Sequence, residues 1–118
     1  MRIEINDKVN DLKISLKCIR KLNEKYKKES QSQGINLGLS ITYASLKTYD
    51  PEALLIMADC AQFDGDNLSK KDLEDWIETV DVGEWCDDFL ELLETAPMTK
   101  KHIAIVKQDI ERNIQAMK

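Results

Sequence analysis

The chain has 118 residues, 42% of them hydrophobic and 33% charged, and carries a net charge of −5. That length suits a single compact domain, here expected over residues 1–118, burying about 60–70% of its extended surface. The mixture is too apolar for a disordered chain and too polar for a membrane protein, and no run approaches the ~18 apolar residues of a membrane span.

The start, MRIEINDKVND, lacks the apolar core of a secretion signal, so a cytosolic protein is expected. Ile3 and Ile5 alternate with Arg2 and Glu4, and a second extended run begins at Val9, with Leu12, Ile14 and Leu16 alternating with polar residues. This predicts a β-hairpin over residues 1–14. Asn6-Asp7 tolerates the left-handed angles of a tight turn, and Asn10-Asp11 is a rival turn site. The period then changes. Ile19, Leu22 and Tyr26 predict a helix starting near Ser15 and fading into the polar stretch KKESQSQG, a loop closed by Gly34. Ile35, Leu39, Thr42, Tyr43 and Leu46 fall on one face of the next helix, where Gly38 costs about 1 kcal/mol relative to Ala.

In YDPEALLIMADCAQF, Asp50 caps, Pro51 fits the first helical position, and Glu52 suits the positive helix end. After it, QFDGDNLSKKDLEDW superficially resembles a calcium loop. With Asp64 as position 1 and Asp66 as position 3, Leu68 occupies position 5, Ser69 the turn-glycine position, and Asp75 the place of the closing glutamate. Turn chemistry explains Asp64-Gly65-Asp66-Asn67 better, and Ser69 with Asp72 fits a helix start. Leu73, Trp76, Ile77 and Val80 form the stripe of that helix. Asp81, with Glu84 three residues on, has capping-box spacing for the next helix, whose stripe is Val82, Trp85, Cys86, Phe89, Leu90 and Leu93. Beyond Pro97, a last helix carries Ile103, Val106, Ile110, Ile114 and Met117 on one face. The expected fold class is therefore α+β: an N-terminal hairpin, then a mostly helical bundle of five to six helices over 15–118.

Charge is segregated along this order. Residues 1–30 hold nine Lys/Arg against five Asp/Glu, residues 72–94 ten Asp/Glu and no Lys/Arg, and residues 95–118 five Lys/Arg against two Asp/Glu. An acidic block repels phosphate, so nucleic acid is not an expected partner. The block can instead pair with the chain's own basic ends or with a basic partner. Cys18, Cys60 and Cys86 are odd in number and widely spaced, which suits small, buried, reduced side chains rather than a disulfide framework or a zinc site. His102 is the sole histidine. No catalytic motif is present, and neither metal nor cofactor is expected.

Taken in order, MRIEINDKVNDLKISLKCIRKLNEKY (hairpin then helix), YDPEALLIMADCA (the proline-led helix) and LEDWIETVDVGEWCDDFLELLETAPMTKK (an acidic pair, then a basic restart) resemble the small tail assembly chaperones of long-tailed bacteriophages and prophages of Gram-positive bacteria. Order and spacing along nearly the whole chain carry the resemblance. No single piece has invariant chemistry. The resemblance implies a non-enzymatic protein of the host cytoplasm, absent from the mature virion. It would bind the tape-measure protein, keep that long helical partner soluble, and help recruit tail tube subunits. A chain ending at Lys118 would correspond to the short form where a frameshift also yields a longer one.

Helix-in-groove recognition needs an apolar groove with a charged rim. Glu84, Asp87, Asp88, Glu91 and Glu94 are the candidate rim, read alternatively as an ordinary solvated face. Trp76 and Trp85 are candidate anchors, read alternatively as core. Met57, Met98 and Met117 could line an adaptable surface or fill gaps. Self-association is a further expected contact, and an exposed hairpin edge is one route to it. Two rival functions remain: a small acidic adaptor of antitoxin type sequestering a basic partner, and a calcium-binding helix-loop-helix protein built on Asp64, Asp66, Asp72 and Asp75.

Overall fold

The computed structural model describes the backbone of residues 1–27 and 38–116 and the side chains of 1–27 and 38–112. Strands β1 (Arg2–Ile5) and β2 (Lys8–Leu12) form the expected hairpin, with Ile3 opposite Asn10 and Glu4 opposite Val9. Asn6 and Asp7 make the turn, with φ of 53° and 62°. Two successive left-handed residues match the right-handed twist of the strands, which is why Asx residues are favoured there. The rival site, Asn10-Asp11, lies inside β2.

β2 ends at Leu12, short of the alternation expected through Leu16. Ser15 caps helix α1 (Leu16–Lys25), its Oγ accepting from Cys18 N at 3.1 Å. Leu16 is thus helical. The polar stretch 28–34 with Gly34, together with Ile35, lies outside the described residues. Helix α2 (Gly38–Lys47) buries Leu39, Thr42, Tyr43 and Leu46 as its spacing predicts. Helix α3 (Pro51–Ala61) begins as its sequence dictates, Asp50 Oδ1 accepting from Glu52 N at 3.0 Å.

A third strand, β3 (Gln62–Gly65), then pairs antiparallel with β2, giving the sheet order β1-β2-β3. The sequence reading places a turn inside the helical span 15–118 here, and the strand corrects it. The cause is non-local. Asn10 turns its amide toward β3, Oδ1 accepting from Phe63 N at 3.1 Å and Nδ2 donating to Asp66 O at 2.8 Å. Gly65 has φ +116°, and a Cβ on it would lie 2.4 Å from Val9 O, so the crossing tolerates only glycine.

Three helices follow: α4 (Lys70–Ile77), α5 (Val82–Thr95) and α6 (Lys100–Ala116), making six among the described residues. Ser69 and Asp72 complete a reciprocal capping box at α4, at 3.1 and 2.9 Å. Asp81 Oδ1 accepts from Glu84 N at 3.1 Å at α5. On α6, Ile103 is buried and Val106 and Ile110 pack against the core, while the side chain of Ile114 and all of Met117 lie outside the described residues.

Ile3, Leu22, Tyr43, Leu54, Phe89 and Leu93 are fully buried within one contiguous cluster. Helices α2 and α3 form the layer between α1 and α5. Gly38 faces α1 so closely that a Cβ would sit 2.5 Å from Leu22 C and Asn23 N. Tyr43 reaches α5 from the other side. Five residues of helix separate the two, an arc of about 140°. The cysteines are free and buried, as expected. Burial, then the neighbouring Cys60, pushes the Cys18 thiol up to about 12. Burial, then Asp59, raises Cys60 to about 11.

Candidate functional site

The five candidate rim residues all lie on α5, a helix with no cation of its own. They divide into two groups. Glu84, Asp87, Asp88 and Glu91 are exposed, whereas Glu94 is half-buried. Glu94 Oε1 accepts from Tyr43 OH at 2.6 Å and has Lys47 Nζ at 3.9 Å. Burial, then the Glu94 carboxylate, raises the Tyr43 pKa above the usual phenol range. Glu94 is therefore a tie between α5 and α2.

Asp87 accepts from Tyr49 OH at 3.0 Å, which raises the Tyr49 pKa. Tyr49 ends the α2 turn with φ 58°, a left-handed angle uncommon for an aromatic residue. Its backbone N–H donates to Leu46 O at 3.0 Å. The side chains of Glu84, Asp88 and Glu91, at i, i+4 and i+7, have no hydrogen-bond or ion-pair partner among the described residues. They form an open acidic stripe along the helix.

The tryptophans sit at the packed side of this helix. Trp76 and Trp85 meet edge to face, centroids 4.9 Å apart, and Trp85 leans on Phe89 at 6.2 Å. Trp76 is only 2% exposed, so its ring is core and presents no surface to a partner. Trp85 is half-buried against that core and remains at the edge of the face. Of the methionines, Met57 is buried and Met98 is 55% exposed.

The calcium-like stretch is engaged otherwise. Asp66 Oδ2 accepts from Val9 N at 3.0 Å, and Asp64 stands on β3 opposite Asp11. Asp72 is a hub that sequence reasoning saw only as a cap. Lys8 Nζ lies 2.8 Å from its Oδ2, and Asn6 Nδ2 donates to its Oδ1 at 3.0 Å and to Asp75 Oδ2 at 3.1 Å. Those bonds, with Ser69 N–H, hold the Asp72 carboxyl well below the usual carboxylate range. The hairpin turn is thereby fastened to the start of α4 across a separation of more than 60 residues, which no local pattern encodes. Among the described residues, no group of three or more His, Cys, Asp or Glu is placed to hold a metal.

Two of the shallow grooves on the described surface lie beside α3. One, of about 340 Å³, runs between α1 and α3 and is lined by Lys21, Glu24, Lys25, Asp59 and Cys60. The other, of about 290 Å³, lies between α3 and α4, over Leu55, Ile56 and Leu73. No helix among the described residues is long and apolar enough to cross a membrane.

The arrangement is a set of charged helix faces carried on a helical core. The family model described as "Phage tail assembly chaperone protein, TAC" matches residues 2–108. The chain belongs to this phage tail assembly chaperone family, which is non-enzymatic. No curated protein and no solved structure shows significant similarity to it.

Proposed function

We propose that this chain binds the tape-measure protein of its own phage, keeps it soluble in the host cytoplasm, and helps bring tail tube subunits to it. The resemblance points to a long-tailed phage or prophage of a Gram-positive host, and to a protein left out of the finished virion. Family membership supports the reading. The observation that carries it at residue level is the open stripe of Glu84, Asp88 and Glu91, with Asp87 beside it and Trp85 at its edge. A row of carboxylates without internal partners is solvated in the free protein and complements a basic or amphipathic partner surface. Glu94 supports the face from inside through Tyr43.

Co-expression with the tape-measure protein of the same gene cluster tests this. The expected result is a larger soluble fraction of that partner and its co-purification with this chain. Unchanged solubility with nothing co-purifying would refute the role. Loss of co-purification by E84K/D88K/E91K, with the helical signal unchanged, is expected if the acidic stripe contributes to assembly of the complex.

A further inference from the structure

Helix α6 is gripped firmly at one end only. At its start Thr99 is buried and its Oγ1 donates to Leu93 O at 2.7 Å, Ile103 is buried, and His102 Nε2 stands 3.2 Å from Ser40 Oγ of α2. Farther along the grip weakens. Val106 and Ile110 are half-buried, and Lys107, Gln108, Asp109, Glu111 and Arg112 are exposed. Among the described residues, no side chain after His102 makes a hydrogen bond or ion pair with another element, and the Asp109–Arg112 pair at 3.9 Å is internal to the helix. A groove of about 180 Å³ opens beside Ile103 and Ala104, where Lys100 and Lys107 line it with Glu94 without forming an ion pair. Helix α5, by contrast, buries Cys86, Phe89, Leu90 and Leu93 along its length.

We propose that α6 is a helix in two parts: residues 100–106 are fixed to the body, and residues 107–116 are a strap that lifts from it as a unit. Local opening costs least where few apolar contacts and few hydrogen bonds hold a segment, and here one half-buried isoleucine, Ile110, is the described apolar hold beyond Val106. Isolated helices shorter than ~12–15 residues are marginal in water. A strap of about ten residues therefore loses its helix when it leaves the body. While down, it keeps Ile110 and the apolar ground beneath it from water. While up, it exposes both, so the surface that this end of the molecule shows is set by the open fraction. The device stands whether or not the tape-measure protein is the partner.

Amide hydrogen exchange of the full chain, read by mass spectrometry at micromolar concentration, tests it. Amides of 107–116 should exchange about tenfold or more faster than those of 103–106 and of α5, with one shared opening constant. Low urea should leave that rate unchanged, the mark of local rather than global opening. Ile110→Ala should speed exchange across 107–116 about fivefold or more and leave 103–106 and α5 as they were, whereas Ile110→Leu should stay near the wild type. Protection of 107–116 equal to that of α5 would overturn the proposal. So would a rate that climbs residue by residue toward the end and ignores Ile110→Ala, because that is fraying of a tip. An Ile110→Ala variant that exchanges faster throughout the chain would also overturn it, since Ile110 would then belong to the global core.

Discussion

Replacing Gly38 by alanine sets two effects of opposite sign against each other. In a helix, alanine is preferred over glycine by up to about 1 kcal/mol, chiefly through backbone entropy. Gly38 opens α2, so the gain there is smaller. Against it stands a Cβ placed 2.5 Å from Leu22 C and Asn23 N. These are backbone atoms of a packed helix, so no side chain can swing aside, and α1 must separate from α2. Overpacking of this kind costs ~1–3 kcal/mol. The shift would also disturb Gly38 N–H, which donates to Asn23 Oδ1 at 3.1 Å. A net loss of about 1–2 kcal/mol follows, read as a fall of roughly 0.5–1 M in the urea midpoint with the slope unchanged. Gly83 is the internal control. A Cβ there would meet Asp81 Oδ1 at 3.4 Å and Tyr49 Cδ1 at 3.9 Å, ordinary contact distances. G83A should therefore stabilise by a few tenths to about 1 kcal/mol. If G38A proves as stable as the wild type, or if both variants shift the same way, the close-approach argument is refuted.

Ser69→Ala removes the hydroxyl that accepts from Asp72 N and should cost about 1 kcal/mol, measured by thermal or urea unfolding. Asp72 gives the chain an acid-sensitive term: its folded pKa lies below its unfolded value, so the stabilisation is present above about pH 4 and is lost as pH falls through the folded value. Asp72→Asn should lower stability at pH 7 and flatten the acid limb of the stability profile, and a variant with the wild-type acid limb would contradict this. Tyr43→Phe deletes the 2.6 Å bond to Glu94 and should destabilise by ~1–2 kcal/mol, with the high-pH loss of stability that Tyr43 ionisation causes removed along with it. The buried thiols of Cys18 and Cys60 should resist an aromatic disulfide reagent in the native protein at pH 8 and react at once in denaturant, and rapid native labelling of either would contradict their burial.

The readable parts of this fold are the ones decided within four residues. Asp50-Pro51, Ser69-x-x-Asp72 and Asp81 each announce a helix start, and each side chain accepts the backbone bond its position predicts. The stripes of α2, α4 and α5 likewise name their buried residues. What stayed hidden depends on distant partners. Asp64-Gly65-Asp66-Asn67 has turn composition, yet Gln62–Gly65 is a strand, held where Asn10, more than 50 residues earlier, presents an amide to Phe63 and Asp66. Gly38 reads locally as a weak helix former, yet its missing side chain lets α1 lie against α2. At the candidate face, the acidic row was legible as a row. Which of its members is committed was not, since nothing near Glu94 in sequence announces Tyr43.

That division bears on how α5 can be acidic and still stable. Five carboxylates on one helix with no cation of its own repel one another and place negative charge toward the negative helix end. The structure relieves this on the side facing α2, where Tyr43 and Lys47 meet Glu94 and Tyr49 meets Asp87. On the outer side Glu84 gains from the positive helix end, but no cation among the described residues meets Glu84, Asp88 or Glu91. Solvation makes that tolerable in the free protein, and a cationic surface laid along the stripe would gain from all three at once. In the proposed complex, relief of that repulsion would favour the bound state: charge that destabilises the isolated helix slightly would become a source of affinity and of orientation.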